Sequence, residues 1–390
     1  MNPINRRQFT QHSAALTTAA AMNPMLLSAA EPSGKKVRIG VVGGNFGLSF
    51  FWNVHPNSTV TAVCDVRPER LEALSAKYEC DTTYTNFHDL IHDRTVDAVA
   101  VFTPAPLHAY MACEAMKAGK HVVSAVPAAM ALDECEELIE CVKETGMIYM
   151  MAETSFFRYQ IIQCRKWSQE QKFGEIFHAE AEYLHDGLID LMHDENGQPN
   201  WRHGFPPMHY ITHCTGAILP VTGERLTEVT CTGWGDGHQV LQTNLYQNPF
   251  WNETAFFKTS GGHTVRIAVW WRVAEGGVER ASFYGDKMSY HMPRPGNVPG
   301  ISSKLDPTLQ IEAVETPDFW DVMPEAMRVR TPHGGAHTWI THEFVTAVMH
   351  QRRPGVDVYE AVAYTAPGIF AHQSALEGGA AKQIKDFGRA

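Results

Sequence analysis

The sequence predicts an α/β protein of two domains: a doubly wound parallel sheet, then an α/β domain with a large open, mainly antiparallel sheet. Three observations carry this reading. The chain has 390 residues, too long for one ordinary domain and fitting for two. From Lys35 onward, short apolar runs alternate with amphipathic helical stretches, the grammar of right-handed β-α-β crossovers. After about residue 175 the grammar changes to period-two alternation broken by Gly-Gly turns.

The first thirty residues stand apart. Arg6-Arg7-Gln8-Phe9-Thr10 precedes a mildly apolar stretch at 14–21, and the segment ends Ser28-Ala29-Ala30. A basic start, a short apolar region and a small-x-small end describe an export signal over residues 1–30, and the paired arginines before Phe9 resemble the twin-arginine type. The apolar region is too short to span a bilayer. An exported, periplasmic protein is expected.

The elements then follow in order. Residues 37–42 read as a buried strand ending in Gly43-Gly44-Asn45-Phe46-Gly47, with a helix expected after that loop. Further strands are expected at 60–64, 97–102, 121–124 and 147–151, with helices at 68–78, 107–118 and 132–145. These assign residues 35–153 to the first domain and 154–390 to the second. In the second, strands are expected at 176–183, 254–260, 263–271 and 279–284. Helices at about 338–352 and 358–377 close the chain and are expected to pack back on the first domain.

Composition narrows the function. A net charge of −11, with no basic run beyond Lys35-Lys36, argues against nucleic acid or an anionic membrane as partner. Eight cysteines are scattered without a Cys-x-x-Cys pair, which indicates neither a zinc site nor a dense disulfide framework. His209 and His213 have i, i+4 spacing, but no third ligand is suitably placed, and no metal is expected.

A dinucleotide pyrophosphate needs glycines that permit close approach and backbone N–H groups at the start of a helix. Gly43, Gly44, Asn45, Phe46 and Gly47 supply such a loop, although Asn45 stands where a second glycine is usual. Asp65 follows the second strand, 22 residues after Gly43, where a carboxylate accepts the adenosine ribose hydroxyls and repels a 2′-phosphate. The expected cofactor is NAD rather than NADP, with nearby Arg67 the one feature favouring the latter.

Thr103-Pro104-Ala105-Pro106-Leu107-His108 after the third strand and Ala118-Gly119-Lys120-His121-Val122 before the next complete a resemblance. Together with the loop and Asp65, they resemble the glucose–fructose oxidoreductase / inositol dehydrogenase / MocA (Gfo/Idh/MocA) family. The resemblance implies a Rossmann domain, a second domain whose open sheet forms a subunit interface, and a sugar or polyol held between them against the nicotinamide. It implies a homo-oligomer, and places Thr103, Pro104, His108, Ala125, Val126 and Pro127 around the cofactor. One departure matters. The family's Glu-Lys-Pro motif is here Ala125-Val126-Pro127, and Val126 cannot transfer the proton that the lysine handles.

The same Val-Pro with Ala128 and Ala129 resembles the NAD-dependent glycosidase branch of that family. Met150-Met151-Ala152-Glu153, the segment at 181–186 and Tyr210-Ile211-Thr212-His213 extend the likeness. It implies a substrate pocket with Glu153, Tyr183, Tyr210 and His213, to which His185 is added as a candidate. The implied reaction is redox-neutral: oxidation of a ring hydroxyl, elimination, hydration and reduction. In it His213 and Tyr210 handle the hydroxyl proton, Tyr183 or His185 serves the adjacent carbon, and Glu153 holds sugar hydroxyls or assists the leaving group. A tightly bound, internally regenerated NAD suits an exported enzyme, since no pool of the cofactor lies outside the cytoplasm. Two alternatives stand beside this reading: a sugar or polyol oxidoreductase with a proton-transfer group other than lysine, and an inactive nucleotide-binding module. His333, His337, Lys287, Trp251 and Asn252 are weaker site candidates.

Overall fold

The computed structural model describes residue 34 and residues 36–274, 277–293, 300–303, 312–313 and 317–389; the expected export segment lies outside these. The first sheet is built from β1 (Val37–Val42), β2 (Ser58–Cys64), β3 (Thr83–Tyr84), β4 (Ala98–Val101), β5 (His121–Ser124) and β6 (Tyr149–Met151). Its strands are parallel in the order β3-β2-β1-β4-β5-β6, so the order reverses between β1 and β4. The connecting helices are α1 (Pro68–Tyr78), α2 (Phe87–His92), α3 (His108–Lys117) and α4 (Leu132–Thr145). All four β4 residues are buried, as are five of six in β1. Helices on both faces require this, which is why these strands are continuous apolar runs. Pro68 opens α1, where its missing N–H costs nothing, and Glu79 closes it with φ 50°.

One expectation fails here. The glycine loop leads into a single 3₁₀ turn, Phe46–Ser49, and no α-helix. Phe46, Leu48, Phe50, Phe51 and Trp52 put apolar groups on every side of a would-be helix, and Pro56 lies just ahead. Burying Phe50 and Trp52 completely folds the segment inward instead. The two-residue β3 and six-residue α2 are too short to give a period and were not anticipated.

The second domain begins with α5 (Tyr159–Gln169) and β7 (Ile176–Leu184), then α6 (Thr212–Thr222), β8 (Leu226–Trp234), α7 (Gln239–Gln242), β9 (Asn252–Thr259), β10 (Thr264–Trp270) and β11 (Val278–Gly285). β12 (Met288–His291), β13 (Gly300–Ser303), β14 (Glu312–Ala313), α8 (Ala336–Met349), α9 (Val358–Leu376) and β15 (Lys382–Gln383) complete it. The nine strands run β14-β13-β12-β11-β7-β10-β9-β8-β15, antiparallel throughout except for the central β7–β10 pair. Alternation on β7 turns Ala179, Ala181 and Tyr183 inward. Outward, Glu180 and Glu182 meet Arg266 and Arg280 across the strands at 2.8–3.2 Å. The same outer face carries Trp234 and Phe256, each about half exposed.

The last helices bind the domains together. Met151 N–H of β6 donates to Val356 O at 3.0 Å, and Ala128 N–H donates to Thr365 Oγ1 of α9 at 3.3 Å. From α8, His342 Nδ1 lies 3.0 Å from Nε2 of His55, whose Nδ1 accepts the Asn57 N–H at 3.1 Å. The pair is therefore neutral, with His55 donating from Nε2. Burial, and then each group's cationic or imidazole neighbour, depresses His55 to about 3 and His342 to about 4.

Both rings thus have folded values below their ordinary 6.5. The unfolded chain takes up these protons first as pH falls, so stability is full above pH 6.5 and is lost as pH drops toward 3–4. Denaturant melts at pH 7 and pH 4.5 should differ by at least about 1 kcal/mol, and His342→Gln, with one such group fewer, should show the shallower dependence. Equal slopes in the two proteins would show that the pair does not store this energy.

Candidate active site

One cleft of about 780 Å³ runs from the glycine loop at the β1–β4 reversal to the inner face of the second sheet. Ligands of open α/β sheets bind at such a reversal. Gly43 has φ 100°, and a Cβ there would lie 2.3 Å from Phe102 O; at Gly44 it would lie 2.6 Å from Arg70 O. No other residue fits either place. Asp65 Oδ2 accepts the Gly44 N–H at 2.6 Å and its Oδ1 the Arg67 N–H at 2.9 Å. The carboxylate keeps lone pairs for ribose hydroxyls on the cleft side.

Gly43, Asn45, Phe46, Asp65, Arg67, Thr103, Pro104, His108, Ala125 and Val126 all line this cleft. Gly44, Gly47 and Pro127 support it from behind. Gly44 backs onto Arg70, and Gly47 packs under Val41. Pro127 follows a cis peptide and presents its carbonyl to His108 Nδ1 at 2.8 Å, while His108 Nε2 meets Thr103 O at 2.8 Å. One imidazole thereby joins the loops after β4 and β5. A cradle that only glycine fits, with a carboxylate at its rim, suits a dinucleotide.

At the other end, Tyr183 (β7), Tyr210 (a 3₁₀ turn at Pro207–Tyr210) and His213 line the same cleft. His213 lies within the first turn of α6. The Tyr183 ring lies 4.5 Å from His213 and stacks on Tyr210 at 6.0 Å, and Trp271 meets both tyrosines edge-on. Behind His213 lies Glu153. Its Oε1 takes the ring's Nδ1–H at 2.9 Å and the Ser155 N–H at 2.8 Å. Glu153 is fully buried and does not line the cleft, where it was expected to hold sugar hydroxyls; it meets the cleft only through its hydrogen bond to His213. It fits because residue 216 on α6 is glycine; a Cβ there would stand 2.4 Å from Glu153 Cγ.

The sequence missed a second acid. Glu279 on β11 sits in register with Tyr183 and lies 4.0 Å from His213 Nδ1. It pairs with Arg158 and accepts the Ser155 hydroxyl. Burial opposes charge on Glu279, yet Arg158 and His213 hold it down to about 2. Burial likewise opposes the His213 charge, and Glu153 and Glu279 overcome it, raising the imidazole above its ordinary value. The signal was present: Glu279 is in phase with Ala281 and Phe283, on a face otherwise apolar.

His333, one of the weaker candidates by sequence, lines the cleft. It is held at φ 55°, a strained backbone for a histidine, and its Nδ1 lies 3.1 Å from His337 Nε2. Burial lowers it, and more so His337, to about 4. His337 packs under Phe46 and Phe50. An excursion between β7 and α6 also reaches the cleft, with Asp190, His193, Glu195, Trp201 and Arg202; Glu195 comes to 3.9 Å from Arg67. Long loops of this kind carry function without a strand or helix period to mark them.

The remaining candidates lie away from the cleft. His185 does not line the cleft; it packs beside Tyr183 and Trp271 with Nδ1 on Asp186 O. Trp251 is fully buried and donates to Asp236, and Asn252 bonds Arg272, so neither faces the substrate end. Lys287 is absent from the cleft wall as well. His209 precedes α6 and turns against His372 and Phe205, so it shares no helix face with His213. Among the described residues no group of three candidate ligands could hold a metal.

Two glycine substitutions separate the ends of the cleft. Gly43→Ala should abolish dinucleotide binding in a fluorescence titration. Gly216→Ala should leave that affinity intact while displacing Glu153, with turnover falling about 10-fold or more (roughly 1.4 kcal/mol). Equal loss of cofactor in both proteins would contradict this division.

Comparison with known proteins gives concordant results. A family model described as "Oxidoreductase family, NAD-binding Rossmann fold" matches residues 37–153. Another, "Glycosyl hydrolase 109, C-terminal domain", matches residues 314–390. A glycosyl hydrolase family 109 protein of Solibacter usitatus is 26% identical, over 92% of this chain and 90% of its own. Among solved structures, an oxidoreductase domain protein from Kribbella flavida superposes with a TM-score of 0.74 at 18% identity, over 90% of this chain and all of that one. Levoglucosan dehydrogenase, in complex with NADH and L-sorbose, gives a TM-score of 0.75 at 17% identity with the same coverage of 90% and 100%. These structures share the fold. The first domain is an NAD-binding Rossmann domain that matches the Gfo/Idh/MocA oxidoreductase model, and residues 314–390 match the C-terminal domain of glycosyl hydrolase family 109.

Proposed function

We propose that this protein is an NAD-dependent glycosidase that cleaves its substrate by oxidation, elimination, hydration and reduction, and keeps its cofactor throughout. The observation that carries the reading is the single cleft that joins the dinucleotide loop to Tyr183, Tyr210 and His213. The family 109 name of the relatives supports the same reaction class. Bound NAD would accept a hydride from one sugar carbon and return it at the end of the cycle.

The protein's own groups manage the protons. His213 donates Nδ1–H to Glu153, which leaves Nε2 as the base for the hydroxyl being oxidised. Tyr210 supplies a hydroxyl beside it. Elimination needs an acid at the departing oxygen and a base at the neighbouring carbon. Burial holds the Tyr183 phenol well above its ordinary value and holds His333 below its own. The first therefore rests as donor and the second as acceptor, a division of labour typical of acid–base pairs. If His333 donates from Nδ1 to His337, its Nε2 is the free acceptor. The side chains of Val126 and Ala125 leave this end of the cleft without the lysine of the ordinary dehydrogenases, which favours the glycosidase over a net sugar oxidoreductase.

We also propose export by the twin-arginine route, supported by Arg6-Arg7 ahead of Phe9 and by a cycle that needs no external cofactor. Self-association through the outer face of the nine-stranded sheet is supported by exposed Trp234 and Phe256 on that face.

The holoenzyme should release p-nitrophenol from an aryl glycoside in a panel of sugars without added NAD. Deuterium from solvent should enter the carbon next to the one oxidised. His213→Ala should retain dinucleotide yet lose at least about 100-fold in turnover. Product that never carries deuterium, or NADH that accumulates with free sugars, would replace this reading with a hydrolytic or net dehydrogenase mechanism respectively.

A further inference from the structure

We infer that Glu279 and Arg158 are a positioning pair whose opposed charges set the pH at which His213 exchanges its proton. The inference rests on the reading of His213 as the base. The ring's one Nδ1–H is already taken by Glu153 at 2.9 Å. Glu279 Oε1, at 4.0 Å from the same nitrogen, therefore acts on His213 by charge and not by a second hydrogen bond. The carboxylate is fixed from two sides. Arg158 Nε donates to Oε1 at 3.0 Å, a second Arg158 nitrogen meets Oε2, and the Ser155 hydroxyl donates to Oε1. Both side chains are largely buried, at 17% and 10% exposure, so solvent screens them weakly.

The site's connectivity gives this pair a purpose. Glu279 comes from β11 of the second domain, whereas Ser155 and Arg158 follow β6 of the first sheet. The other polar groups around His213 are Glu153, Thr154, Tyr183 and Tyr210, with His333 and Arg158 within electrostatic reach. Of these, Glu153 and Glu279 bring carboxyl groups and Arg158 a guanidinium, beside the imidazole of His333. Two carboxylates and one guanidinium leave the ring facing a net negative charge. An opposite charge at such distances moves a titration by about one unit or more.

The two partners should therefore act in opposite directions. Glu279→Gln removes an anion and leaves the Arg158 cation unopposed, so the His213 titration should fall by about one pH unit or more. The acid limb of kcat/KM should fall with it. Arg158→Gln leaves the anion and should raise both by a similar amount. The ring is followed directly by NMR of the [13C]histidine-labelled holoenzyme, with the His213 signal assigned by its loss in His213→Ala. If Glu279→Gln does not fold, the upward shift in Arg158→Gln decides alone. Unmoved titrations, or shifts of the same sign, overturn the inference. Turnover that survives in His213→Ala instead overturns the reading of His213 as base, and the NMR titration still reports on the pair.

Discussion

A hydrogen bond between a carboxylate at the exit of one sheet and an imidazole at the start of a helix under the other organises this molecule. Glu153 follows β6, His213 opens α6, and the contact at 2.9 Å crosses from one domain to the other without touching solvent. A buried carboxylate is tolerable only when its partners are fixed. Ser155 N–H and His213 both bind Oε1, while the buried Oε2 has no hydrogen-bond partner among the described residues, and Gly216 supplies the room. Everything on the substrate side of the cleft is arranged around that ring: Tyr183 beside it, Tyr210 beyond, Trp271 against both tyrosines.

The two ends of the cleft use different physics. The dinucleotide end is shaped by backbone proximity, where the absence of a Cβ at Gly43 and Gly44 permits the approach and Asp65 ties the loop to the β2 terminus. The substrate end is shaped by charge in a poorly solvated place. There Glu153 and Glu279 flank one side of His213, while burial pushes Tyr183 up and His333 down. Proton donors and acceptors are thus distinguished by surroundings more than by residue type.

The first domain was readable because its strands are buried on both faces and its helices keep a clean period. Val37–Val42, Pro68–Tyr78 and Leu132–Thr145 fall where the sequence places them. The loop after Gly47 misled, since a run of aromatics carries no stripe. In the second domain, β8 and α5 escaped notice: the first mixes polar residues on a half-solvated strand, and the second has no strong apolar face. Candidates that sit in a motif, such as Tyr210 and His213, were legible in the sequence and line the cleft. Arg158, Glu279 and His333 were not, because each is brought to this part of the molecule only through a partner more than a hundred residues away or through a backbone angle. His185 shows the reverse case, a motif residue that lies off the cleft with its ring turned to Asp186 O.

The contact between β6 and residue 356 has a consequence for the order in which the chain acquires its shape. β6 is the outermost strand of the first sheet, and an uncovered strand of that kind is a template for association with other chains. Its cover arrives 205 residues later in sequence, when Met151 N–H finds Val356 O and α9 lies across Ala128. During synthesis this margin of the nucleotide domain therefore lacks that cover until residue 356 and α9 have been made.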